Sequence, residues 1–180
     1  MDYVSLLGPD GQSDNMGGLT QRMYFARVAD FLSIKAPVAP FTTPDDLVTI
    51  STAHTFNTGK CFKKLYCTMD KGKLDAKGQG EIDGKSFKLE GEIFYPGSLA
   101  DAHGFASLVK NDNFILLVEH PDSADNGHIQ VGTEMFPAKI SPEFTTATNS
   151  SGVKGYTFKF EAMTPRVYVY TGTISLTPAA

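Results

Sequence analysis

Apolar and polar residues alternate most regularly between Lys85 and Tyr95. Phe87, Leu89, Ile93 and Tyr95 fall on one side of this stretch, and Ser86, Lys88, Glu90 and Glu92 on the other. A period of two is that of a half-buried strand. Pro96-Gly97 ends it, and Ser98 opens a helical pattern with Asp101 three residues on as an imperfect capping box. Leu99, Ala102, Phe105, Ala106, Leu108 and Val109 recur at helical spacing and predict one apolar stripe. Asn111-Asp112-Asn113 stops the helix. Phe114 to Val118 follows as a dense apolar strand. Strand, amphipathic helix and buried strand, within Asp83 to Glu119, predict a compact unit.

The flanking pattern is mostly of period two. Tyr156, Phe158 and Phe160 alternate with Thr157, Lys159 and Glu161, and Leu47 to Thr52, Lys60 to Met69 and Val167 to Leu176 read as further strands. Asp83-Gly84 predicts a hairpin turn. Asn126-Gly127 marks the tip of another, whose arms are Phe114 to Val118 and a short strand after His128 that breaks at Pro137. Leu19 to Val28 reads as a strand, with a helix through Met23, Arg27 and Asp30-Phe31 as the competing reading. Pro37, Pro40 and Pro44 make residues 36–46 a linker. The polar stretch from Met1 to Asn15 reads as an arm. Mainly β structure follows: one domain over 1–180, a small β-sandwich or barrel flanked by one α-helix. An extended N-terminal arm and linker (1–46) precede a β core (47–180).

Composition adds little to the fold but narrows the function. The 180 residues are 41% hydrophobic and 20% charged, with a net charge of −4. Those proportions suit a globular chain that needs neither disulfide nor metal to hold it together. The lysines are dispersed, which argues against a surface built to grip nucleic acid. Neither a signal-peptide pattern nor an apolar run of ~20 residues is present, so the expectation is a protein made in a reducing cytoplasm without a membrane anchor. Cys61 and Cys67, in one strand at ~3.3 Å per residue, sit too far apart to bond.

Tests for chemistry come out weak. Glu119, His120, Asp122, Asp125 and His128 surround one loop, but they lack the spacing of an EF-hand or a zinc motif and read better as a polar hairpin tip. Cys61 with His54 or His103 carries no mark of an activated thiol. Asp45-Asp46 and Glu90/Glu92 are carboxylate pairs, the second on a solvated strand face. Phe87, Tyr95, Tyr156, Phe158 and Phe160 could line a ligand cavity, although a filled core is the better reading. The chain reads as a non-enzyme with no catalytic residue, no metal site and no cofactor. Phe94 shares the face of Lys88, Glu90 and Glu92, which predicts an exposed aromatic or a subunit contact.

A β-rich domain with one helix between strands and no catalytic set resembles the tail tube proteins of tailed bacteriophages, which are similar in fold to type VI secretion tube proteins. The resemblance is carried by Gly17 to Ala26, the helix from Ser98 to Lys110, Gln130 to Glu134 and Lys154 to Glu161. It implies a virion structural protein, assembled in the host bacterial cytoplasm, whose copies join edge to edge in hexameric rings. The rings stack into the tube for DNA ejection. Implied partners are other copies, other tail proteins and DNA in non-specific passage along an acidic wall. Lys88, Glu90, Glu92 and Phe94 would then form a lumen or subunit surface, and Arg22, Tyr24 and Arg27 would belong to an inter-ring arm. A capsid decoration or head–tail joining protein is the alternative in the same class. A small-molecule-binding β-barrel is the alternative in another.

Overall fold

A computed structural model describes residues 3, 5, 6 and 16–179, apart from the side chain of Asp125. Most of the expected arm, Met1 to Asn15, therefore lies outside the described residues. The chain is mainly β. Its strands are β1 (Arg22–Arg27), β2 (Phe31–Ser33), β3 (Thr49–Ile50), β4 (Thr55–Phe56), β5 (Lys63–Tyr66), β6 (Lys73–Gln79) and β7 (Ser86–Pro96), followed by β8 (Phe114–Val118), β9 (His128–Val131), β10 (Lys139–Thr145), β11 (Gly155–Thr164) and β12 (Tyr168–Tyr170). Helix α1 (Ala100–Val109) precedes β8, and a single turn, α2 (Ser123–Asn126), caps the β8–β9 hairpin. No helix among the described residues is long and apolar enough to cross a membrane.

The strands form a six-stranded sheet in the order β3-β12-β9-β8-β1-β5, a four-stranded sheet β10-β11-β7-β6, and a small pair β2-β4. Strand β8 explains the architecture. All five of its residues are buried, because both faces of the sheet are covered there, as a continuous apolar run requires. Phe114, Leu116 and Val118 face the four-stranded sheet and α1. Ile115 and Leu117 face the opposite way, into a second core with Ile50, Phe56, Phe62 and Tyr170. Strand β1 divides in the same way, with Met23 and Phe25 in the first core and Tyr24 and Ala26 in the second.

Several expectations need correction. The β core begins at Arg22, not Leu47: β1 is hydrogen-bonded to β8 on one side and β5 on the other, in the interior of the large sheet. The run Met23-Tyr24-Phe25-Ala26 is the same two-face signature as β8, on a shorter strand. The helical stripe is narrower than its spacing predicts. Ala102, Ala106 and Val109 are buried and Phe105 packs beside them, but Leu99 and Leu108 are exposed. Leu99, not Ser98, is the N-cap, and no side chain caps the helix. The strand expected at Val167 to Leu176 shortens to three residues, after which the chain supplies cover for the second core through Ile174 and Ala179. Strand β10 runs through Pro142, which an edge strand tolerates because the missing N–H can face outward.

Candidate functional site

Among the described residues, the four-stranded sheet is covered on one side only. On β7 the register places Lys88, Glu90, Glu92 and Phe94 on the outer face, opposite buried Leu89, Gly91 and Ile93. Gly91 has a steric reason. The ring of Phe160, its cross-strand partner, lies over it, so an added Cβ would stand 2.4 Å from Phe160 Cζ and 2.7 Å from the Lys73 carbonyl oxygen. Neighbouring strands contribute Lys73, Asp75 and Lys77 from β6, Lys159 and Glu161 from β11, and Lys139 and Glu143 from β10. Five lysines thus meet five carboxylates.

Most of these charges pair across the sheet. Lys88 Nζ stands 2.6 Å from Glu90 Oε1 and 2.9 Å from Glu161 Oε2. Lys77 reaches Glu90 at 2.9 Å, Lys159 reaches Glu143 at 2.6 Å, and Lys73 approaches Glu92 at 3.5 Å. Hydrogen bonds from Lys77 and Lys88 hold the Glu90 carboxyl down at about 2, and the bonds to Glu90 and Glu161 push the Lys88 ammonium above its usual range. Apart from Lys88, these side chains border an open groove of about 420 Å³. The Glu90 carboxylate is held ionised rather than poised to take a proton near neutral pH. The face is a hydrated surface of zero net charge, not the acidic wall expected of a channel.

Phe94 sits on this face but is half-buried. Its ring leans over Gly155 and borders a groove with Tyr66, Pro96 and Val153. It is therefore not a freely exposed aromatic. The sheet's edges, β6 and β10, have no strand partner within the described residues. Lysines on β6 and Pro142 on β10 are features that discourage indiscriminate strand addition.

The residues assigned to an arm are placed elsewhere. Arg22 bonds Glu119 at 2.8 Å, Arg27 bonds Asp112 at 2.6 Å, and Tyr24 is buried with an edge contact to the His128 ring. All three lie on an interior strand and have partners within the same chain. Among the described residues, no three His, Cys, Asp or Glu gather closely enough to hold a metal ion. Cys61 and Cys67 are free, and burial pushes the Cys67 thiol up, away from reactivity. Tyr156, Phe158 and Phe160 belong to the first core, and Phe158 also borders, with Tyr95, Phe25 and Phe105, an open pocket of about 320 Å³. Asp46 caps the turn before it, accepting bonds from the Thr43 and Thr42 amides and the Thr42 hydroxyl, which lower its carboxyl to about 2.

Sequence reasoning overlooked a buried polar chain in the second core. His54, 4% exposed, accepts a hydrogen bond at Nδ1 from the Lys35 amide (2.9 Å) and meets Gln130 Oε1 through Nε2 (3.0 Å). Its ring stacks on Tyr170 at 4.6 Å. Nothing in the sequence joins positions 35, 54, 130 and 170; only the fold does. No family model matches the chain, and neither a curated protein nor a solved structure shows significant similarity to it.

Proposed function

We propose that this chain is a virion structural protein, the repeated subunit of a phage tail tube. One observation supports the reading most: a four-stranded antiparallel sheet with one solvated face and two open edges. An even number of antiparallel strands makes the two edges run in opposite directions. Copies related by rotation would then bring β10 of one against β6 of the next in antiparallel fashion, and repetition closes a ring. Lysines and Pro142 at these edges limit joining to a partner of matching shape. Closure would turn the ion-paired face inward and leave α1 and the second core outside. Six copies, the number the resemblance implies, give a barrel with a backbone diameter of roughly 45–50 Å at the usual strand spacing and tilt. A wall of balanced, mutually paired charge would offer passing phosphates little net attraction or repulsion. Negative-stain microscopy of the purified protein tests this. Rings or tubes are expected, and a strictly monomeric particle across concentration and salt would refute it.

A further inference from the structure

The hydrogen-bond chain around His54 has a fixed direction. Gln130 Nε2 donates to the Gly132 carbonyl at 3.0 Å, so the amide oxygen of Gln130 is the atom turned to His54. An oxygen there can only accept, and the Lys35 amide can only donate. The neutral ring must therefore carry its proton on Nε2 and keep a bare lone pair at Nδ1. The His54 amide in turn donates to Tyr170 Oη (3.2 Å), and that hydroxyl donates to the Thr173 carbonyl (3.0 Å). One residue thus ties together three pieces of the second core: the strap of residues 34–37 that follows β2, strand β9, and strand β12.

We propose that His54 is a pH-operated latch, whose protonation releases the strap at Lys35 from its tie to strand β9 while the β2–β4 pairing stays in place. A second ring proton has nowhere to go but Nδ1, where it would face the Lys35 N–H, donor against donor. Among the described groups around the ring, none is a carboxylate that could neutralise the cation. The strap presents the Lys35 ammonium, itself bonded to Ser33 Oγ at 3.0 Å. Strand β9 presents the Gln130 amide, strand β12 presents the Tyr170 phenol, and the Phe31 and Phe62 rings also contact the imidazole. Burial accordingly depresses the basicity of His54, with the Lys35 charge adding to it and the Gln130 bond opposing. His128 on the same strand is a separate titration, its ring packed on Tyr24. Beside the latch lies a groove of about 230 Å³ bordered by Ile34, Pro37, Ile50 and Tyr168, which strap release would widen into the core.

The folded-state pKa lies below the unfolded value of ~6.5, so the latch holds fully above that pH and weakens as pH falls beneath it. The test is amide exchange at Lys35 by NMR on the full chain between pH 8 and 5, corrected for intrinsic rates. Protection at Lys35 should fall by up to tenfold for each pH unit below ~6.5, and Lys35 should exchange faster than the β8 amides, which report global unfolding, throughout that range. In His54→Asn, which keeps an acceptor but cannot take the proton, Lys35 protection should not vary with pH. Independently of any variant, imidazole 15N resonances at pH 7.5 should show the proton on Nε2. A proton on Nδ1, or Lys35 protection that is unchanged once the ring is charged, would overturn the proposal.

Discussion

Replacing Leu116 and Leu117 separately by alanine distinguishes a chain with two cores from an ordinary two-layer sandwich. The two are neighbours on β8, each fully buried, but they point to opposite sides of the sheet. Leu116 lies between Phe25 and Val131, and Leu117 between Tyr24 and Gln130. Burying a leucine fully contributes about 1.5–3 kcal/mol. A cavity left by incomplete relaxation raises the cost of Leu→Ala to about 2–5 kcal/mol. Each variant should therefore lose that amount in urea or guanidinium unfolding, with a lower midpoint and an unchanged slope. For a chain of this length, the melting temperature should fall by roughly 2–4 °C per kcal/mol. Leu108→Ala is the control. It sits on the helical stripe that spacing predicts, but its side chain is exposed, so it should change stability by less than about 0.5 kcal/mol. If Leu117→Ala costs under about 1 kcal/mol while Leu116→Ala costs the full amount, the second core is only a loose cover and the reasoning fails.

Other substitutions test the charged face and its supports. Gly91→Ala should destabilise by about 1–3 kcal/mol, because the buried Phe160 ring and the Lys73 carbonyl must both give way; calorimetry would show it, and an unchanged melting temperature would contradict it. Arg22→Ala strips Glu119 of its partner at a position where its second oxygen has none among the described residues; because the Arg22 side chain is largely exposed, a loss of about 1 kcal/mol or less is expected in denaturant unfolding. Glu90 has a folded pKa of about 2, below the unfolded ~4.3, so its contribution is present above that unfolded value and lost only as pH falls toward 2. A carbonyl 13C titration of Glu90 should accordingly remain flat down to about pH 3, and a midpoint near 4.3 would show that the pairs do not persist in solution.

The parts legible in the sequence were those whose cause is local. Strand β7 shows its period because one face is wet and the other dry, and β8 shows as a solid apolar run because both faces are dry. Asp83-Gly84 marks a real hairpin, with Asp83 itself at φ 68°. Strand β1 was harder. Charged Arg22 and Arg27 bracket only four apolar residues, and the run is short enough to read as strand or helix. Those arginines looked like arm residues because nothing local shows that Glu119 and Asp112 wait across the sheet. Leu99 and Leu108 misled through their spacing, since hydrophobic periodicity says which residues could face a core but not how wide that core is. The ion-paired face was half visible: Lys88, Glu90 and Glu92 alternate correctly, but Lys73, Lys77, Lys159 and Glu161 join them only through register. The His54 chain left no local trace at all. Its other members stand 19 to 116 residues from His54, and each is unremarkable where it stands.

The most direct test of the assembly is a cryo-EM reconstruction of the purified protein, resolved well enough to trace strands. The account predicts a closed ring in which β10 of each copy lies against β6 of the next, with Lys88, Glu90 and Glu92 lining the channel. A ring with α1 on the channel side, or a particle of single copies with both edges free, would contradict it.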